Sequence, residues 1–521
     1  MLPKSIPLTA LALALAALCA CGSAAAQTAA QPAPLSMDAL RGAAQKAVQS
    51  NPDVTARYNA YRAANHERDG ARGGYYPRID ATADVGHTRD RYDNRNPANQ
   101  SLSQHGVGLN LTQMLWDGDG TRSEVQRLDH HRMARWFEFV DASEQAALEA
   151  ARAHYDVQRY RRLVELAEDN YVQHKLSHDQ IQSRFRAGVG RGVDLQQAVA
   201  RLALAESNLS SEVANLHDVT ARYQRVVGER PAAPAGSTAA AEAAAGLSTG
   251  MPASAAQALS LATTRHAGVS AAIESMRALR TQADSVRSAY LPRVEARLRS
   301  SLGKNLAGSD GQTRDFGAEI VLNWNLYNGG RDDARARQFA SLVTQAADQR
   351  DRACRDVQQT AAIAYNDTTR LGEQVRQLAK NAAAIQRARD AYRQQFDIGQ
   401  RSLLDLLNAE NETYTARRAV ANAEFDLATA YARVHAATNT LLPTLGLMRA
   451  DAAGAAGASG SAEADAAAGW QAGGDAATRC ALADGMPTAT PLAELDARAQ
   501  ALAASRVAPA SSPSPATPTK P

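Results

Sequence analysis

The sequence predicts an exported, oligomeric α+β membrane protein in which one unit of helices and a β-hairpin occurs twice. Three observations favour this fold class: an export signal, two hairpins with alternating apolar residues, and two helical stretches of unusual length. The repeat is visible as short landmarks, because the Tyr-X-Pro sequence at Tyr75–Pro77 returns at Tyr290–Pro292. The aromatic-Asp/Asn-Gly sequence at Trp116–Gly118 likewise returns at Tyr327–Gly329. A period this long excludes a solenoid of small repeats.

The N-terminus has the organisation of a secretory signal peptide, which we assign to residues 1–26. A basic residue precedes the apolar run Leu8–Leu18, and Ala24–Ala26 supplies the small residues of a cleavage site. A lipoprotein signal is the alternative, because Leu18–Cys21 resembles a lipobox in which Cys21 would be acylated. Beyond this segment no stretch is apolar enough to span a bilayer as a helix, so any membrane span would consist of strands.

Composition argues against several classes of function. The net charge is +3 with acids and bases interspersed, so no basic patch indicates nucleic acid as a partner. Cys354 and Cys480 indicate neither a disulfide framework nor a metal site. His174 and His178 have the spacing of two metal ligands, but no third ligand is placed nearby, and we interpret them as a solvated helix face. We find no catalytic motif and predict neither an enzyme nor a cofactor.

Residues 78–115 form the first predicted β-hairpin, and residues 293–326 form the second. Apolar residues recur at every second position from Ile79 to Val85, with polar residues between them. The polar run Thr88–Gln104 is interpreted as the loop of this hairpin. Alternation over about ten residues is typical of a transmembrane β-strand, although a soluble half-buried hairpin has the same pattern.

The number of strands bears on the oligomeric state. Each chain offers two hairpins, whereas bilayer-spanning barrels have about eight strands or more and close without an unpaired edge. One chain therefore cannot form a barrel by itself. Two chains or three chains could supply enough strands, so the sequence predicts a homo-oligomer in either case.

Two very long helices follow the hairpins, at about residues 121–186 and 331–397. Both stretches lack proline, and at 1.5 Å per residue each could extend for roughly 100 Å. A helix of this length has no core of its own, so it must pack along its neighbours as in a coiled coil. A short tip turn ends each long helix, at residues 186–194 and 397–405, and a further helix follows each turn.

These elements divide the chain into a first repeat at residues 35–230, a linker at 231–251 and a second repeat at 252–445. The linker is rich in Ala, Gly and Pro. The tail at residues 450–521 has a similar composition, and we predict that it is disordered. A short helix anchored by Trp470 or Leu495 is the alternative.

In their order and duplication the landmarks resemble those of the TolC family of outer-membrane channels over roughly residues 35 to 445. The shared landmarks include Asn51-Pro52, both Tyr-X-Pro strand starts, both aromatic-Asp/Asn-Gly strand ends and both tip turns. The resemblance implies a homotrimer with a twelve-stranded barrel, four strands per chain, in outer-membrane lipid. It also implies a long periplasmic α-helical coiled-coil barrel with a closed tip, and we expect the tail in the periplasm.

The resemblance implies functional sites near the tips. Gly188, Gly190, Gly192 and Gly399 match the tip turns, where a periplasmic membrane-fusion adaptor would dock, and glycine suits a helix that ends in a tight turn. The tip sequences are most similar to members that serve type I secretion, in which an adaptor and an inner-membrane ABC transporter export unfolded proteins. A component of a drug-efflux pump is the first alternative, and a structural periplasmic coiled-coil protein is the second.

The resemblance also implies a periplasmic gate and a lumen constriction. Family members close the gate with an Arg-to-Asp bond, and the matching residues are Arg401 and Asp194. Phe396 stands where the family has an aromatic hydroxyl, so one bond of that gate is missing. At the constriction Asp405 matches the first of two acidic residues, but Asn408 replaces the second. We therefore expect weak cation selectivity, which the substitution Asn408→Asp should strengthen.

Overall fold

The computed structural model describes residues 37–91, 99–232, 246–305, 310–449, 451 and 490–507. The predicted signal peptide, the candidate lipidation site Cys21, and most of the linker and tail lie outside the described residues. Within those ranges, no helix combines the length and the apolar character needed to cross a membrane.

Each repeat contains two shorter helices, a hairpin, a very long helix and a returning helix. The elements of the first repeat are α1 (Met37–Ser50), α2 (Pro52–Arg72), β1 (Arg78–Arg91), β2 (Asn99–Trp116), α3 (Gly120–Arg186) and α4 (Gly192–Val227). The elements of the second repeat are α5 (Ala255–Arg265), α6 (Ala267–Ser285), β3 (Arg293–Lys304), β4 (Gln312–Asn323), α7 (Arg331–Asp397) and α8 (Leu403–Ala437). The short helix α9 (Leu441–Leu445) follows α8.

The sequence landmarks are the residues that start helices. Asn51 caps α2, because its side-chain oxygen accepts a hydrogen bond from the backbone N–H of Asp53 at 2.9 Å, and Pro52 occupies the first turn. Asp117 stabilises the start of α3 from two residues before the N-cap position Asp119, since its carboxylate accepts from both the backbone N–H and the hydroxyl of Thr121 at 2.6 Å. The aromatic-Asp-Gly landmark thus ends a strand and begins a long helix within a few residues.

The four strands form one antiparallel sheet in the order β1-β2-β3-β4. Ile79 lies opposite Leu111, which lies opposite Leu298, so the apolar positions of neighbouring strands share one face. Arg297 lies opposite Glu319 on the other face. Within the described residues β1 pairs only with β2, and β4 only with β3. Both outer edges therefore keep unpaired backbone groups that another chain can satisfy.

The loop predicted at Thr88–Gln104 is shorter in the structure. Strand β1 continues to Arg91 and β2 begins at Asn99, so the prediction is wrong at both ends of the run. Polar side chains bond across these strand ends, since the imidazole nitrogens of His87 lie 3.2 Å from the Ser103 hydroxyl and 2.8 Å from the Ser101 hydroxyl. The polar composition of this run therefore did not prevent β1 and β2 from pairing as far as Arg91 and Asn99.

The long helices α3 and α7 contain 67 residues each, which corresponds to about 100 Å. Helix α3 packs along α4 and α7 packs along α8, and α3 also contacts α8. The largest apolar cluster draws buried side chains from α1, α3, α4, α8 and α9. It includes Leu40, Tyr155, Tyr223, Phe425 and Leu441.

Cys354 on α7 is buried beside Ile273 and Val357 and is disulfide-bonded. This bond was not predicted from the sequence, because the cysteines show no framework spacing.

Part of the predicted tail is helical. Residues 481–521 form a unit separate from the rest of the chain, and within it the structure describes helix α10 (Leu492–Val507). The described side chains of α10, including Leu495, are exposed. This stretch differs from the predicted disorder because it lacks Gly and Pro and is rich in residues with high helix propensity.

Candidate functional site at the helix tips

The two tip turns have the same backbone geometry. Gly188 and Gly399 have φ angles of 77° and 78°, in the left-handed region that glycine adopts without strain. The backbone N–H of Gly188 donates to the carbonyl of Phe185, and that of Gly399 donates to the carbonyl of Phe396, both at 3.0 Å. Each glycine therefore ends a long helix and reverses the chain in the same way.

Beyond these glycines the two turns differ. In the first turn, a Cβ added to Gly190 would lie only 2.8 Å from the backbone nitrogen of Phe185, so the close approach requires glycine. In the second turn, the Ser402 hydroxyl accepts from the backbone N–H of Asp405 at 3.3 Å and caps α8. Gly192 is the first residue of α4. All four predicted tip glycines thus lie in or beside the two turns.

Exposed apolar side chains surround both turns. Val189 is 79% exposed, Ile398 is 69% exposed, and Val193 is also exposed. Sequence analysis singled out the glycines and missed these residues. A signal existed, because large apolar residues are unusual within short glycine-rich turns, which are otherwise polar.

Phe396, a predicted gate residue, lies in the core of the tip. Its side chain is 7% exposed and packs in an apolar cluster with Ile181, Leu403 and Leu407. The guanidinium of Arg184 lies 5.2 Å from the centre of the Phe396 ring, within the range of a cation–π interaction. Phe396 therefore joins α3, α7 and α8 by packing, in place of the missing hydroxyl bond.

Arg401 contacts residues at the two helix ends that flank the second tip turn. Its Nε donates to the Gln395 side chain at 3.0 Å, its Nη1 lies 3.5 Å from the Asp405 carboxylate, and its guanidinium stacks 4.4 Å from the Tyr392 ring centre. Asp194 lies in the first turn of α4 and makes no ion pair with any described residue of the same chain. The Arg401–Asp194 bond stays a prediction. It would have to form between Arg401 of one protomer and Asp194 of another.

Asp405 and Asn408 lie one turn apart near the start of α8. The Ser402 hydroxyl donates to the Asp405 carboxylate at 2.9 Å, so Asp405 completes a reciprocal helix cap. The Asn408 side-chain oxygen accepts a hydrogen bond from Nη2 of Arg201 on α4 at 2.8 Å. Sequence analysis missed Arg201, because a contact between residues so far apart in the chain has no local signal.

Polar side chains also connect the helices farther along from the tip turns. Glu410 on α8 is buried and accepts from Nη2 of Arg393 on α7 at 2.7 Å, and the same nitrogen donates to Gln173 on α3 at 2.7 Å. Nη1 of Arg389 lies 3.5 Å from Glu410. Arg393 therefore joins three helices, because it bonds both to the buried Glu410 carboxylate on α8 and to Gln173 on α3.

The interpretation of the histidine pair as a solvated helix face is wrong for His174. His174 is buried, and burial and then the positive charge of Arg201 lower the pKa of its imidazole. His178 contacts the Asp179 carboxylate at 3.0 Å. In the described part of the chain, no group of three or more His, Cys, Asp or Glu residues could hold a metal ion.

Sequence comparisons identify relatives over most of the chain. A family model described as outer membrane efflux protein matches residues 43–229 and 258–440, one segment in each repeat. The outer membrane efflux protein BepC of Brucella suis is 27% identical over 414 residues, which cover 79% of this chain and 87% of BepC. The alkaline protease secretion protein AprF of Pseudomonas aeruginosa is 28% identical over 161 residues, which cover 30% of this chain and 33% of AprF.

The fold is shared with a solved channel. The outer-membrane channel OprN superposes with a TM-score of 0.67 at 19% identity, over 77% of this chain and 90% of OprN. The resemblance to TolC-like proteins is confirmed, as is the predicted fold of an internal repeat with long helices and four strands per chain. The predicted location in the outer membrane is also confirmed. The chain belongs to the outer membrane efflux protein family and is a channel protein.

Proposed function

We propose that this channel is the exit duct of a tripartite type I secretion system, exporting unfolded proteins of the repeat-rich toxin or large adhesin class. The duct would carry its cargo across the periplasm and the outer membrane. The observation that carries the proposal is the pair of glycine tip turns, which in sequence resemble those of secretion members. The partial match to the protease secretion protein AprF supports the same assignment.

The partners of this duct would be a periplasmic membrane-fusion adaptor and an inner-membrane ABC transporter. The tip turns are the proposed docking surface, because exposed apolar residues such as Val189 and Ile398 surround them. Apolar side chains exposed together are typical of surfaces that another protein covers. Asp194, Phe396 and Arg401 would form the gate at this end, and Asp405 and Asn408 would line the constriction.

Multidrug efflux is the second candidate function. The match to the efflux protein BepC favours it, because that match covers 79% of this chain whereas the match to AprF covers 30%. The architecture of the duct would be the same in either case. A structural coiled-coil protein that spans no membrane is not retained, since the chain belongs to a family of outer-membrane channels.

Deletion of the gene separates the two candidates. Culture supernatants and drug susceptibility would be compared between the parent strain, the deletion strain and the complemented strain. Secretion predicts the loss of one or a few very large supernatant proteins with unchanged drug tolerance. New drug sensitivity with an unchanged supernatant would instead assign the channel to efflux.

A further inference from the structure

Arg201 carries a positive charge that no carboxylate of its own chain neutralises among the described residues. Its guanidinium is half-buried on α4, and its resolved polar contact is the 2.8 Å hydrogen bond to the Asn408 oxygen. On α3, burial and then this positive charge lower the pKa of the His174 imidazole. A half-buried guanidinium without a counter-ion is less well stabilised than a paired one, so a carboxylate placed beside it would gain a charge-assisted bond.

The charges around the proposed constriction add up differently from those of an acidic ring. Asp405 lies one helical turn from Asn408, and its carboxylate is 3.5 Å from Nη1 of Arg401. Each chain therefore places the Arg401 guanidinium beside the Asp405 carboxylate and the Arg201 guanidinium on Asn408, one helical turn away. Where an acidic ring would have a second carboxylate, this chain has an amide bonded to an arginine.

We propose that Arg201 is the residue that sets the ion selectivity of the constriction, by holding Asn408 and opposing the charge of Asp405. This inference rests on the proposed function, because it takes Asp405 and Asn408 as residues of the lumen. It also revises the expectation drawn from the sequence. An aspartate at position 408 would meet the Arg201 guanidinium and form a charge-assisted pair, so this carboxylate alone would not create a cation site.

The test is a double-mutant cycle measured on the full-length trimer in planar lipid bilayers. Wild type, Asn408→Asp, Arg201→Gln and the double variant would be titrated with hexaamminecobalt(III), a trivalent cation, at about 0.1 M salt, where screening extends over roughly 10 Å. We expect the half-blocking concentration of Asn408→Asp to stay within about threefold of wild type. The double variant should be blocked at a concentration at least tenfold lower, because its new carboxylate at position 408 no longer meets Arg201.

Two controls accompany the cycle. Arg201→Lys keeps the positive charge and should be blocked like wild type, both alone and combined with Asn408→Asp. Arg222→Gln removes an exposed arginine from the same helix, far along α4, and should change nothing. All variants must keep the trimer and the single-channel conductance of the wild type.

The outcomes distinguish a failure of the role of Arg201 from a failure of the proposed constriction. Block of Asn408→Asp as strong as that of the double variant would overturn the role of Arg201 and leave the constriction in place. Block that is the same in all four proteins, and also unchanged in Asp405→Asn, would overturn the constriction itself and with it this inference.

Discussion

At the scale of single residues, Glu144 shows how burial makes stability depend on pH. Glu144 on α3 is 3% exposed, and one of its carboxylate oxygens accepts from the backbone N–H of Leu442 at 3.4 Å. The other oxygen is buried without a partner. Burial raises the pKa of Glu144 to about 8, because the charged form loses its hydration.

We expect Glu144→Gln to stabilise the protein at alkaline pH. The folded-state pKa lies above the unfolded value, so the neutral carboxyl favours folding below the unfolded pKa, and this contribution is lost as pH rises towards 8. The melting temperatures of wild type and variant should therefore be close at pH 5 and diverge by pH 8, with the variant higher. Glu149→Gln alters an exposed residue of the same helix and is the control. A constant difference across this range would contradict the assignment.

Phe396 is the residue whose truncation should loosen the tip. Phe396→Ala removes a buried ring from the cluster with Ile181 and Leu407 and should cost about 3–5 kcal/mol locally. We expect faster hydrogen exchange in residues 180–187 and 394–407, with little change in the strands. Phe396→Leu is the matched variant, because it keeps apolar packing and loses only the contact with Arg184. Unchanged exchange in Phe396→Ala would show that the cluster does not hold the tip closed.

At the scale of elements, the glycine turns set where each long helix ends. Gly190→Ala should strain the first turn, because the new Cβ would lie 2.8 Å from the Phe185 backbone nitrogen. We expect increased protease cleavage between Arg186 and Val193 and weaker capture of the adaptor. The control is Gly372→Ala inside α7, where the new Cβ has no neighbour within 4 Å and should stabilise by about 0.5–1 kcal/mol. Equal cleavage of both variants would contradict a steric clash between a Cβ at position 190 and the Phe185 backbone.

Local sequence signals predicted the elements well and their contacts poorly. The absence of proline located α3 and α7 to within a residue or so, and alternation located β1 at Ile79–Val85, because these properties are written along the chain. Helix-start landmarks such as Asp117 are equally local. The hydrogen bond from Arg201 to Asn408 depends on how α4 and α8 pack, and no spacing in the sequence reports that packing.

At the scale of the whole molecule, the separate tail unit should be dispensable for assembly. Truncation after Asp451 removes that unit together with residues 452–480, and it keeps the ion pair of Arg449 with Asp451 at 3.3 Å and the stacking of Arg449 on Trp136. We expect the truncated chain to form the trimer and reach the outer membrane in wild-type amounts. A truncated chain that stays monomeric would assign the tail a role in assembly.

The two tips of one chain also have a consequence for stoichiometry. The first turn contains Gly190 packed against Phe185, whereas the second is capped by Ser402, so the tips are related by the repeat and not identical. A trimer presents six tips of two alternating kinds, and its symmetry is therefore threefold and not sixfold. Six identical partner molecules bound around this ring would meet two different environments. The same partner would therefore bind with two affinities, one for each kind of tip. Three partner molecules could instead bind at one kind of tip and leave the other kind unoccupied.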